Sequence, residues 1–95
     1  MHYKTEFPDF DYELTIPDGW TDSSWHNDVS PSIEKQFGDI KYRIWCDFAD
    51  PERREVGGKQ FVVATYDSNE FEHLQELNEF DTFEDAIEFV KRVTA

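Results

Sequence analysis

Residues 22–31, DSSWHNDVSP, place Ser24, His26 and Asp28 at alternate positions. In an extended chain, alternate side chains project to one side, so a hydroxyl, an imidazole and a carboxylate would share a face. That set is the raw material of a nucleophilic triad. A working triad also needs its base bonded to the nucleophile, an acid on the far ring nitrogen and oxyanion donors close by. No glycine flanks these serines and no G-x-S-x-G elbow occurs. The same residues make turns: Asn27 and Asp28 can bond the backbone that follows them, and Ser30 before Pro31 is biased to extended geometry. The stretch therefore reads as a structured loop, and its open question is Trp25, which either pins the loop to the core or stands at its tip as a contact.

Other chemistry finds less support. Cys46 alternates with Tyr42, Ile44 and Phe48 on one apolar face, the setting of an inert buried thiol. His2, His26 and His73 form no H-x-x-x-H pair, and neither C-x-x-C nor a calcium-loop spacing is present. Gly57-Gly58 lacks the Lys-Ser/Thr that would make a phosphate loop. Carboxylate pairs such as Asp9/Asp11, Glu70/Glu72 and Glu84/Asp85 are unavoidable by chance among 22 acids. The sequence predicts no enzyme, no catalytic residue, no metal and no cofactor.

The elements that would position these residues follow from periodicity. FDYELTI (10–16) alternates Phe10, Tyr12, Leu14 and Ile16 against Asp11, Glu13 and Thr15, which predicts a half-buried strand ended by Pro17-Asp18-Gly19. SIEKQF (32–37), Gly38-Asp39 and IKYRIWCDF (40–48) predict a hairpin with Lys41, Arg43, Trp45 and Asp47 on its outer face. ADPERREVGG (49–58) is a polar connection, and QFVVATY (60–66), apolar on both faces, is a central strand. DSN (67–69) is a turn, and EFEHLQEL (70–77) is read as a returning strand. The clearest helix lies in DTFEDAIEFVKRV: Asp81 or Thr82 caps it, early acids and late bases match its dipole, and Phe83, Ala86, Ile87, Val90 and Val93 form a stripe.

These elements predict one α+β domain over 1–95, an antiparallel four- to five-stranded β-meander with one C-terminal α-helix packed on one face. Ninety-five residues leave room for a single core, built largely from nine Phe, four Tyr and three Trp. The lone cysteine and the lack of a leader or long apolar run predict a cytoplasmic protein without a membrane role.

Charge carries the functional expectation. The formal charge is −13: residues 1–34 hold eight acids and one base, 35–60 five and six, and 61–95 nine and two. Such a field repels nucleic acid and draws basic protein surfaces, including those of nucleic-acid-binding enzymes. The expected partner-binding residues are Trp20, Trp25, His26, Asn27, Asp28, Trp45, Glu70, Glu72, Glu76, Glu84, Asp85 and Glu88. They suit an acidic inhibitor, such as a nucleic-acid mimic, a mobile-element antagonist or an immunity-type protein, that occludes a basic surface. The alternative is a stand-alone domain binding a small ligand or a housekeeping partner through residues 20–31, with its charge serving solubility.

SWHNDVSPS followed by YRIWCDFADPERRE resembles small bacterial proteins that pair a W-x-N-D-x-x-P-S segment with a D-x-x-D-P-x-x-R-E turn. The resemblance implies a small α+β domain and transfers no activity and no binding residues.

Overall fold

The computed structural model describes residues 2–54, 58–67 and 70–95, with the backbone alone at 67 and 70–74. Five strands, β1 (Thr21–Asp22), β2 (Ser32–Phe37), β3 (Ile40–Cys46), β4 (Phe61–Asp67) and β5 (Glu70–Phe80), form an antiparallel meander in chain order. A four-residue helix α1 (Tyr3–Glu6) precedes the sheet, and α2 (Phe83–Val93) follows it. This is the α+β meander that the hydrophobic alternation predicts.

The hairpin between β2 and β3 turns at Gly38, whose φ of 61° suits glycine, and its register pairs Ile33 with Ile44 and Glu34 with Arg43. Central β4 pairs Ile44 with Val63 and Cys46 with Phe61. The 70–77 segment is a strand, as expected, and continues to Phe80 across register shifts near Val63/Ala64 and Tyr66/Asp67. The expected turn at 67–69 falls mostly outside the described residues, as does Gly57 of the glycine pair.

Helix α2 is capped by Thr82, whose Oγ1 accepts the Asp85 amide at 3.2 Å. Phe83, Ala86, Ile87 and Val90 bury its inner stripe against Ile33, Ile44, Cys46, Phe61 and Val63. Val93 departs from the predicted stripe: it is exposed, because the last turn overruns the core.

One expected strand is absent. Residues 10–16 make no ladder; they form an extended strap laid across the core. The alternation still sets sidedness, with Leu14 buried and Phe10, Tyr12 and Ile16 packed on the core while Asp11, Glu13 and Thr15 are exposed. Side-chain and amide contacts take the place of a neighbouring strand. Leu14 N–H donates to Tyr3 Oη at 3.0 Å, and Asp11 accepts the amides of Ala49 and Asp50 at 2.7 and 3.0 Å. The edge position next to β2 goes instead to the two residues of β1.

Candidate interaction surfaces

The loop that follows β1 is built on buried serines. Ser24 and Ser32 are fully buried: Ser24 Oγ accepts the Ser32 amide at 3.2 Å, and Ser23 and Ser32 share a hydroxyl bond at 3.0 Å. Asp22 ties the loop base to the N-terminus, accepting Tyr3 N–H at 2.7 Å through one oxygen and Ser24 N–H at 3.0 Å through the other. Ser30 and Pro31 complete the buried base. The hydrogen bonds among Asp22, Ser23, Ser24 and Ser32 fix the loop base.

On that base the tip stands outward. Trp25 is 41% exposed and Val29 47%, so the tryptophan is a surface residue and not a core pin. Its ring lies 4.2 Å from that of His26. His26 donates its amide to Glu6 Oε1 and faces the same oxygen through Nδ1 at 3.0 Å. That side-chain hydrogen bond holds the Glu6 carboxyl below its ordinary range. Asn27 is exposed, and the Asp28 amide closes a turn onto the Trp25 carbonyl. Ser24 is thus buried against Ser32 while His26 is committed to Glu6, and the two make no hydrogen bond to each other. The 22–31 stretch has no triad geometry.

Cys46 is fully buried beside Ile44, and burial pushes its thiol far above the ordinary range. Among the described residues no group of three His, Cys, Asp or Glu side chains is placed to hold a metal ion.

The sheet face away from α2 carries a second cluster. Cross-strand register aligns Trp45 with Val62 and Glu79, Arg43 with Glu34 and Ala64, and Lys41 with Tyr66. Arg43 donates to Glu34 Oε2 at 2.6 Å and lies 5.2 Å from the Trp45 ring and 4.9 Å from the Tyr66 ring. Lys41 joins the same carboxylate at 3.4 Å. Charges on this face therefore largely cancel. Glu76 lies across from Ala64 on the same face and is exposed.

A third surface is acidic at the first turns of α2 and basic at its last, where Lys91 and Arg92 are exposed. Glu84, Asp85 and Glu88 are exposed on α2 at spacings that place them side by side. Burial, and after it the charge of Glu84, raise the Tyr12 phenol of the strap. Lys4 pairs with Glu13 at 3.1 Å and Lys91 with Glu88 at 3.8 Å, whereas Glu84 and Asp85 have no ion pair among the described residues.

The expected partner-binding residues therefore occupy separate places. Trp25, His26, Asn27 and Asp28 form the loop; Trp45 and Glu76 lie on the open sheet face; Glu84, Asp85 and Glu88 lie across the molecule on α2. Trp20 packs on the core. Glu70 and Glu72 lie in β5, and their side chains fall outside the described residues. Sequence reasoning did not single out Glu6, Asp22 or Tyr66, whose roles depend on partners about twenty residues away in the chain.

No family model, curated protein or solved structure matches the chain. No helix among the described residues is long and apolar enough to cross a membrane.

Proposed function

We propose that this protein is a small acidic binding module that occludes a basic surface of a nucleic-acid-handling partner. The observation that carries this reading is the pair of exposed carboxylates at the first turn of α2, Glu84 and Asp85, free of ion pairs among the described residues. Carboxylates already paired within the fold would have to break those pairs to bind, whereas these are available. Complementary potential speeds encounter with a basic cleft and makes the association steeply dependent on salt. No catalytic group is needed for such a role.

The test is binding of the full chain to purified basic nucleic-acid enzymes across a salt series, with competition by the enzyme's own nucleic acid. The expected result is mutually exclusive binding that weakens steeply with salt and is lost in the triple variant Glu84→Lys/Asp85→Lys/Glu88→Lys. Glu76→Lys, on the opposite sheet face, should leave binding nearly unchanged. Affinity that survives the triple reversal would refute the proposal.

A second reading draws on the loop tip. Trp25 and Val29 are exposed above a base fixed by buried serines, a preorganised apolar contact of the kind that dominates interface energy. A partner lost on Trp25→Ala but indifferent to the helix reversals would favour a docking role for residues 20–31.

A further inference from the structure

Beyond these surfaces, the turn after the strap, strand β2 and the last turns of α2 enclose a pocket of about 210 Å³. The apolar part of its walls comes from the rings of Trp20 and Phe37 and the side chains of Ile87 and Val90, and Asp18, Lys91 and Thr94 line the rest with Lys35. Lys35, half-buried, lines the same pocket. The end of Lys35 is closely packed: a Cβ at Gly19 would stand 3.1 Å from both its Cε and its Nζ, and Nζ lies 5.1 Å from the centre of the Phe37 ring. Gly19, at φ 86°, also supplies the backbone conformation that this turn requires.

Lys35 forms no ion pair among the described residues, although the chain holds 22 acids for its 9 bases. The other charged groups lining the pocket are Lys91, which engages Glu88 at 3.8 Å, and Asp18. With Lys91 engaged by Glu88, the charges of the lining without an ion pair among the described residues are Lys35 and Asp18, one of each sign, and of the two it is Lys35 whose charged end is held in place by packing. An apolar cavity with one positioned, unpaired ammonium is a site for an apolar body bearing one negative charge.

We propose that this pocket binds a small planar aromatic carboxylate, its ring against Trp20 and Phe37 and its carboxylate at Lys35 Nζ. The volume lies below the roughly 300–1,000 Å³ of pockets for drug-sized ligands, which limits the occupant to a single ring. The small-ligand role expected of residues 20–31 thereby moves to the side of Trp20 that faces α2.

The probe is benzoate, titrated into the full ¹⁵N-labelled chain and followed by amide chemical shifts, with benzyl alcohol and benzylamine as neutral and cationic analogues. Saturable benzoate shifts should centre on Trp20, Lys35, Phe37 and Val90. Benzyl alcohol should bind roughly tenfold more weakly or worse, the scale of losing one charge-assisted hydrogen bond, and benzylamine should not saturate. Lys35→Met keeps the apolar stem and should abolish the preference for benzoate over the alcohol. The proposal is overturned if the two bind equally well to the native chain, if benzoate shifts fail to saturate or centre elsewhere, or if Lys35→Met leaves the preference intact. The comparison on the native chain is decisive even if the variant does not fold.

Discussion

Asp11 shows how an exposed carboxylate can matter to the fold. Partial desolvation pushes its pKa up, but the amides of Ala49 and Asp50, helped by Arg53, outweigh that and hold it below the ordinary value. A depressed carboxylate contributes stability that is present above its unfolded pKa and is lost as pH falls through its folded pKa. Asp11→Ala should therefore destabilise by about 1 kcal/mol at neutral pH, a figure discounted for solvent exposure, and the gap to the native chain should close in acid. Chemical denaturation of both chains at neutral and acidic pH measures this; a pH-independent gap would assign the effect to packing. Trp25 gives the contrasting case. Being exposed, Trp25→Ala should change stability by less than about 0.5 kcal/mol, which makes it a clean probe of binding. Its direction was not legible in the sequence, because the turn residues around it suit either orientation; the anchoring Glu6–His26 contact spans 20 positions with no local signature.

Arg54 and the strap explain what larger elements contribute. The guanidinium of Arg54 donates to the carbonyls of Phe48, Gly58 and Ala49 at 2.7, 2.8 and 3.1 Å, and Asp50 caps the short 3-10 turn Pro51–Arg53 through the Glu52 amide. Asp50, Pro51 and Arg54 thus have a structural reason to stand together: they shape the connection between the antiparallel strands β3 and β4. Arg54→Lys keeps the charge but cannot span three carbonyls, so it should cost about 1–2 kcal/mol, read from the denaturation midpoint. The strap marks where sequence reading reached its limit. Alternation reports which side chains turn inward, and at 10–16 it does so correctly; it carries no information on whether a neighbouring backbone is there to pair. β2 to β5 were legible because each has a partner reached by a short connection, whereas β1 is too short to show any period. Leu14→Ala should destabilise by about 2–4 kcal/mol, as for a core residue of a sheet, despite lying outside every regular element. A loss below about 1 kcal/mol would show that the strap rests on the core without closing it.

At the scale of the whole molecule, the two sides of the sheet divide the charge. On the open face Lys41 and Arg43 share the one carboxylate of Glu34 and offset the exposed Glu76, while Glu84 and Asp85 on the α2 side have no ion pair among the described residues. A surplus of 13 negative charges on one small domain repels itself, which opposes the compact state and is weakened by salt. Salt also weakens the exposed pairs Lys4–Glu13, Lys59–Asp81 and Lys91–Glu88, but pairs so exposed contribute little to stability. Repulsion involves many more charges than these pairs do, so its relief should dominate. The melting temperature at neutral pH should accordingly rise as sodium chloride is added, levelling off once the screening length falls below the spacing of surface charges. Partner binding through the α2 face must move the opposite way, weakening over the same salt range. The two trends measured on one preparation separate the explanations of the charge: a rising melting temperature together with falling affinity is expected of an acidic face selected for binding at some expense of stability. Rising stability with salt-independent affinity would place the contact on the loop tip or the neutral sheet face.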